Sequence, residues 1–235
     1  MELELSKKPQ QPIIVQGFPG FGLVGTITTE FLIRHLKCEF IGRKWFEDLP
    51  AAIAIHNGDI IHPIGIYYNE QYNLVIVHSI SAGQGIEWKV ADFLHELGDQ
   101  LDAKEFLCLE GVGTMEEKEE PLVYYYTTDE EREKYLKDKG LEKLNEGVMM
   151  GVTPALMLKT NRQLSSIFVE SHSEYPDSKG AAELIKTLDK VLNLKVDPEP
   201  LYESAKKFEE NFNKIIEQSQ HAQKASKKKQ LNYLG

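Results

Sequence analysis

The sequence has few cysteines and no long apolar run. Two cysteines, Cys38 and Cys108, occur among 235 residues, and neither lies near a second thiol or a histidine at metal-ligand spacing. We therefore predict buried core thiols in a reducing compartment rather than a disulfide framework. No stretch approaches the ~18 apolar residues that span a bilayer, and the charged N-terminus does not look like a signal peptide. These absences predict a soluble, cytoplasmic protein without a membrane partner.

The sequence also has fewer basic than acidic residues. Lys and Arg number 27 against 37 Asp and Glu, which gives a formal net charge of -10. An acidic surface repels backbone phosphates, so nucleic acid is not expected as a main partner. The G-x-x-x-x-G-K-[ST] motif of a P-loop is missing, and the histidines show no H-E-x-x-H spacing. We expect neither a P-loop nucleotide site nor a bound metal.

The chain does contain strand-like and helix-like segments in alternation as far as residue 193. Residues 74–79 (Leu-Val-Ile-Val-His-Ser) contain an apolar run rich in β-branched residues, typical of a strand that is buried on both faces. Further strands are predicted at residues 12–16, 38–45, 51–56, 60–68, 105–110, 121–127 (as an edge strand) and 167–171. Helices are predicted at residues 25–36, 86–101 and 178–192, with a charged helix capped by Thr128 or Asp129, while residues 148–159 fit either state. This order predicts a three-layer α/β/α sandwich with a largely parallel or mixed sheet.

A second, smaller unit is predicted after Pro198. Apolar residues then recur at alternating four- and three-residue steps, which is the spacing of a coiled-coil seam. Phe208, Phe212 and Ile215 are its strongest members, and we predict that they form an oligomer interface. The predicted organisation is therefore a domain over residues 1–197 and a C-terminal helical arm and tail over residues 198–235.

A glycine-rich stretch, residues 17–25, follows the first predicted strand. It reads Gly17-Phe-Pro-Gly-Phe-Gly-Leu-Val-Gly25, and from Gly20 to Gly25 it contains the G-x-G-x-x-G of dinucleotide-binding folds between a strand and a helix. Glu47 and Asp48 lie at the distance along the chain where a ribose-binding carboxylate is expected, but in a turn-like segment. The alternative is a tight turn whose phenylalanines pack against the core or a partner. Both interpretations remain open at this stage.

A polar stretch follows the last predicted strand, where α/β folds place their sites. His172, Ser173, Glu174 and Asp177 supply the residue types of a base, a nucleophile and an orienting carboxylate. However, neighbouring residues on an extended chain point in opposite directions, so His172 and Ser173 are poorly placed to bond each other. The simpler interpretation is a loop in which Asp177 or Ser178 caps the next helix.

The glycine stretch and the segment Ser171-His-Ser-Glu-Tyr-Pro-Asp-Ser-Lys-Gly-Ala-Ala182 together resemble the archaeal proteasome assembly chaperone family, homologues of eukaryotic proteasome assembly chaperone two. The likeness extends over most of residues 12–197. It implies a phosphorylase/hydrolase-like α/β/α sandwich without established catalysis and without a cofactor. It also implies homo-oligomers that contact α-subunits of the proteasome core particle.

The C-terminal tip bears on that contact. Proteins that dock on the proteasome often end in a hydrophobic residue, a tyrosine and one final residue. Here the chain ends Leu231-Asn-Tyr233-Leu234-Gly235, which departs from that pattern by one position. We predict that Leu231, Tyr233, Leu234 and Gly235 bind the partner. The predicted function is a non-enzymatic proteasome assembly chaperone or proteasome-binding factor. The alternative is a nucleotide-binding enzyme, ATP-grasp-like or dinucleotide-dependent, that uses the loop from Gly20 to Gly25.

Overall fold

The computed structural model describes residues 3–48, 53–56, 59–80, 85–114, 121–171, 176–196 and 203. These residues form ten strands and five α-helices. The strands are β1 (Ile13–Gly17), β2 (Glu39–Lys44), β3 (Ala54–His56), β4 (Asp59–Ile61), β5 (Ile64–Asn69), β6 (Leu74–Ser79), β7 (Glu105–Gly113), β8 (Val123–Thr127), β9 (Glu142–Lys143) and β10 (Gln163–Ser171). The helices are α1 (Val24–His35), α2 (Glu87–Gln100), α3 (Glu130–Asp138), α4 (Val152–Lys159) and α5 (Ser178–Leu192).

Eight strands form one mixed sheet in the order β2-β5-β6-β1-β7-β10-β8-β9. The four central strands β6, β1, β7 and β10 are parallel to one another. Strands β5 and β8 run antiparallel to the central strands that they adjoin. The central register places Val15 opposite Ile76 on one side and Leu107 on the other. The carboxyl ends of the central strands therefore meet at one edge of the sheet, which is where sites form in such folds.

Helices cover both faces of this sheet. Phe106 and Cys108 of β7 join the core that α2 and α4 complete, whereas Leu107 and Leu109 join the core of α1 and α5. The alternation follows from the two-residue period of a strand. Because both faces are covered, the central strands are largely buried, and the three-layer α/β/α prediction is confirmed.

Several details differ from the sequence prediction. Strand β7 continues through Gly111 to Gly113, because β10 pairs with it as far as Ser171. Strand β8 is not an edge strand, since the short β9 pairs along its outer side. Of the segment predicted at 51–56, only β3 is a strand among the described residues, and the run at 60–68 divides into β4 and β5. The ambiguous segment at 148–159 yields helix α4, which begins after Gly151.

The two cysteines differ in burial. Cys108 is fully buried as predicted, whereas Cys38 is only half-buried. Burial raises the pKa of each thiol to about 12, so both are protonated and unreactive near neutral pH. In the part of the chain that the structure describes, no helix is long and apolar enough to cross a membrane. The predicted arm, with Phe208, Phe212 and Ile215, lies outside the described residues.

Candidate functional site

The candidate site is the sheet edge at which the parallel strands end. β1 ends there at Gly17, β7 at Gly113 and β10 at Ser171. The glycine loop, residues 17–25, and the segment after β10 both start from this edge. The two stretches that were singled out in the sequence are therefore neighbours in the fold, although more than 140 residues separate them.

The glycines of the loop allow backbone to touch backbone. A Cβ atom on Gly17 would lie 2.2 Å from the carbonyl oxygen of Gly25, and one on Gly25 would lie 2.6 Å from the carbonyl oxygen of Leu109. On the neighbouring strand, a Cβ atom on Gly111 would lie 2.2 Å from the carbonyl oxygen of Phe21. No side chain fits at these distances, so the first turn of α1 rests directly on the ends of β1 and β7.

Asp177 joins the two stretches. Its backbone N–H donates to the carbonyl oxygen of Gly22 at 2.8 Å, and its carboxylate accepts the hydroxyl of Ser171 at 2.7 Å. The same carboxylate accepts the N–H of Gly180 at 2.8 Å and so caps α5. Gly22 has a φ of 64°, and a Cβ atom there would lie 2.4 Å from the Ser171 hydroxyl. Glycine is therefore required both by the left-handed backbone conformation and by the lack of space for a side chain.

The capping interpretation of Asp177 is therefore confirmed. Ser178 instead occupies the first position of the helix. His172, Ser173 and Glu174 lie outside the described residues, so the catalytic interpretation of this segment stays untested.

The phenylalanines of the loop turn toward the protein. Phe18 is buried in the core beneath α2 and α4, and the ring of Phe21 comes within 3.4 Å of the position of a Cβ on Gly113. Asp48 lies beyond β2, three strands from β1, and pairs with Lys89 of α2 at 2.8 Å. A dinucleotide fold instead needs free backbone at the loop and a carboxylate at a neighbouring strand end. The loop geometry thus favours a packed turn over a dinucleotide cradle.

A chain of polar side chains runs from the core to the loop. The Nε2 of Gln16 donates to the hydroxyl of Thr153 at 2.7 Å, and the Thr153 hydroxyl donates to Oε1 of Glu110. The other carboxylate oxygen, Oε2, would lie 3.3 Å from a Cβ on Gly20. Burial raises the pKa of Glu110 to about 7, although the Thr153 hydrogen bond opposes this rise. Glu110 thus changes charge near neutral pH directly beneath the exposed part of the loop.

Sequence reasoning missed this chain of contacts. Gln16 interrupts an otherwise apolar strand, and a polar residue at a buried strand position was the available signal. Its partner Thr153 is 137 residues away, and no local pattern connects the two.

A second buried group lies behind the loop on the α1 side. The ring of His78 has Nδ1 2.9 Å from the Thr29 hydroxyl and Nε2 3.3 Å from a carboxylate oxygen of Glu30. The order Thr, His, Glu is that of a hydrolytic triad, but the Thr29 side chain is fully buried and bonds the carbonyl oxygen of Gly25 at 2.9 Å. Burial lowers the pKa of His78 to about 4, with the Glu30 carboxylate acting the other way. The arrangement fastens α1 to β6.

Within the described ranges, no group of three or more His, Cys, Asp or Glu side chains is placed to hold a metal ion. The predicted partner-binding residues Leu231, Tyr233, Leu234 and Gly235 lie outside those ranges, so the structure does not test them.

Comparison with known proteins gives a consistent family match. The model of the PAC2 family matches residues 14–216. Two uncharacterized proteins of Methanocaldococcus jannaschii are 26% and 25% identical over 228 and 244 residues. Each alignment covers 96% of this chain, and 94% and 93% of the relatives respectively.

Solved structures with this fold extend the match. Pyrococcus furiosus PbaA, described as an archaeal homologue of proteasome-assembly chaperone, superposes with a TM-score of 0.82 at 26% identity. The alignment covers 94% of this chain and 100% of PbaA. Pyrococcus furiosus PbaB, described as an archaeal proteasome activator, shares the fold with a TM-score of 0.75 at 24% identity over 92% of this chain and 98% of PbaB.

Proposed function

Because this chain belongs to the PAC2 family, we propose that it is a non-enzymatic proteasome assembly chaperone or proteasome-binding factor. In this proposal its partners are α-subunits of the core particle, and the C-terminal tip makes the contact. The protein acts in the cytoplasm as a homo-oligomer. The α/β/α domain over residues 1–197 supports a helical arm over residues 198–235 that ends in the tip.

The similarity to Pyrococcus furiosus PbaA carries the proposal. It extends over 94% of this chain and 100% of PbaA at 26% identity. The similarity therefore covers the entire fold rather than a single short motif. A fold by itself does not define a function, but a full-length match to a protein described as a homologue of proteasome-assembly chaperone favours a related role.

The geometry of the glycine loop supports a binding protein over a nucleotide-dependent enzyme. Gly17, Gly22 and Gly25 approach protein backbone or the Ser171 hydroxyl so closely that they are occupied with internal packing. The loop that would hold a pyrophosphate in a dinucleotide fold is therefore used to seat α1 on the sheet.

The tip has the chemistry of a docking element. Tyr233 and Leu234 follow a polar segment with three consecutive lysines at residues 227–229. A pocket that accepts an aromatic ring gains its apolar burial and can satisfy its hydroxyl. The three lysines add attraction to an acidic rim, and this part weakens as salt increases.

The test is a pull-down of recombinant α-subunits, free and assembled into core particles, with the full chain as bait. Deletion of residues 231–235 and the single change Tyr233→Ala are both expected to abolish capture, because they remove the same anchor. A matched control is Tyr135→Ala on α3, which removes a tyrosine of the domain that is 37% exposed. Salt should weaken capture only partly, since the aromatic anchor does not depend on ionic strength.

Two results would contradict the proposal at different levels. Capture that is undiminished by both tip changes would move the contact to the domain or the arm while keeping the proteasome as the partner. Failure of the unaltered chain to capture either target would remove the proteasome from the proposal.

A further inference from the structure

One face of the sheet is incompletely covered at β2 and β5. On the side of α2 and α4, these two strands contribute Ile41, Ile64 and Ile66 to the buried core. On the side of α1 and α5, the buried core of the described residues contains no member of either strand. Tyr67 of β5 is only partly buried there, and Phe40 of β2 is 42% exposed. The layer of α1 and α5 therefore stops short of this edge of the sheet.

Aromatic rings join across the uncovered face. Phe40 lies opposite Tyr67 in the strand register, and their ring centroids are 5.5 Å apart in an edge-to-face arrangement. The ring of His62 stacks on Phe40 at 5.0 Å. Arg43 is exposed on this face, because the next residue, Lys44, points to the other side, where its ammonium lies 5.9 Å from the centre of a ring of α2. We name Phe40, Arg43, His62 and Tyr67 the open face.

The chain leaves the described domain beside the open face. After α5, Leu194 and Val196 still belong to the core on the side of α1 and α5. The hydroxyl of Tyr72, in the turn between β5 and β6, donates to the carbonyl oxygen of Leu194. The chain has therefore passed from α5 toward the strands that lack cover. Tyr67 is only two residues, about 7 Å, from the end of β5, and the five residues from Val196 to Leu201 span up to about 17 Å. The next segment is long enough to reach the open face.

That segment has an apolar side. Leu201 and Ala205 are four residues apart, so they share one side of a helix. Glu203 between them is helical and exposed. Residues two apart on a helix are turned by about 200°, so an exposed Glu203 places Leu201 and Ala205 on the side away from solvent. Tyr202 adds an aromatic ring next to Leu201.

We propose that residues 197–205 pack on the open face, with Leu201 and Ala205 covering the ring of Phe40. The charges are complementary, since this segment contains three carboxylates and no Lys or Arg, whereas the open face carries Arg43. The PAC2 family model matches as far as residue 216, so the segment belongs to the part of the chain that the family shares.

This packing completes the helical layer over β2 and β5. It also fixes the point on the domain from which the rest of the arm extends, and with it the region that the C-terminal tip can reach. The proposal does not depend on the proteasome role, because it concerns a contact within one chain.

Limited proteolysis of the full chain with trypsin tests the packing. Cleavage after Lys206 and Lys207, which directly follow the segment, is expected to be slow compared with cleavage after the lysines at 227–229, because a docked segment must open before it is cut. Phe40→Ser should raise the rate at Lys206 and Lys207 about tenfold, the factor expected when an aromatic contact is lost. The rate at 227–229 should not change. The matched control is Trp88→Ser, which alters an aromatic residue that is 54% exposed on α2, on the other side of the sheet. The control should leave both rates unaltered.

Disulfide crosslinking gives an independent result and identifies the occupant. In a Cys38→Ser background, Phe40→Cys combined with Leu201→Cys should form a disulfide on mild oxidation, whereas Trp88→Cys combined with Leu201→Cys should form none. In a mixture of ¹⁵N-labelled and unlabelled chains, each linked pair of peptides is expected to carry a single label, because both cysteines belong to one chain.

Three results would overturn the proposal. The first is an unaltered chain that trypsin cuts as fast at Lys206 and Lys207 as at 227–229. The second is protection that Phe208→Ser and Ile215→Ser remove but Phe40→Ser does not, which would assign it to the seam of the arm. The third is a linked pair of peptides with mixed labels, which would place a second copy of the chain on the open face.

Discussion

Gly17 and Gly25 touch through their backbones, and the carbonyl oxygen of Gly25 occupies the space that a Cβ on Gly17 would need, 2.2 Å away. This contact seats the first turn of α1 against the end of β1. Neither backbone can move without disturbing the sheet, because a Cβ on Gly25 would in turn lie 2.6 Å from the carbonyl oxygen of Leu109 in β7. The glycine pattern thus has a packing explanation that requires no ligand.

Gly17→Ala should therefore destabilise the protein strongly. Overpacking at a rigid site costs about 3 kcal/mol, which corresponds to a fall of roughly 6–12 °C in melting temperature for a domain of this size. The control is Gly20→Ala in the same loop. Gly20 is exposed with an extended backbone, and the nearest atom to a Cβ there would be a side-chain oxygen of Glu110 at 3.3 Å rather than backbone, so little change is expected. Equal melting temperatures for the two variants would show that the contact is not rigid.

A nucleotide should not alter the stability of this protein. If the glycine loop serves packing, then ATP or NAD at millimolar concentration leaves the melting temperature where it was. A ligand at 100 times its dissociation constant would stabilise the folded state by about 2.7 kcal/mol, which calorimetry detects easily. A reproducible shift that saturates with ligand, and that Gly20→Ala removes, would favour the enzyme alternative.

His78 should make stability fall in acid. Its pKa is lowered from 6.5 to about 4 in the folded state, so the unfolded chain binds the proton more readily. The part of the unfolding free energy that depends on a neutral His78 is fully present above pH 6.5 and is lost as the pH falls toward 4. This loss amounts to about 3 kcal/mol. His78→Asn should flatten this part of the curve of unfolding free energy against pH. A slope unchanged by the substitution would mean that the ring is solvated.

Glu110 should act in the opposite direction over nearly the same range. Its pKa is raised from 4.5 to about 7, so the folded state holds the proton more tightly than the unfolded chain does. Stability therefore decreases as pH rises from 4.5 to 7, by at most about 3 kcal/mol because the side chain keeps some contact with water. Glu110→Gln keeps an acceptor for Thr153 and should remove this decrease. If the variant and the parent have parallel curves of unfolding free energy, the carboxyl ionises normally.

The helical arm is predicted to be an assembly element in its own right. Replacement of Phe208 and Ile215 by serine removes the centre of the seam, so the oligomer mass measured by light scattering should fall. If the arm instead packs on its own domain, the melting temperature falls while the mass stays constant. An arm that takes no part in packing would leave both quantities unaltered.

Local sequence patterns predicted those parts of the fold that depend on near neighbours. The apolar run that became β6 predicted a strand covered on both faces, and the carboxylate of Asp177, three residues before Gly180, predicted a helix cap. Both follow from backbone geometry within a few residues. The resemblance based on the two loop motifs likewise identified the family that the comparison shows.

Pairings between distant segments were decided by the tertiary structure. Strand β8 is predicted as an edge strand from its sequence, but in the fold β9 pairs with its outer side. Strands β3 and β4 have ordinary strand character, yet they form a separate hairpin outside the main sheet. Thr153 is a common helix-start residue in the sequence, yet in the fold it carries the contact from Gln16 to Glu110. Each of these outcomes depends on which surfaces remain to be covered once the sheet has assembled. Periodicity along the chain fixes the side of a strand or helix that is apolar, but the partner of that side is fixed only when the chain folds back on itself.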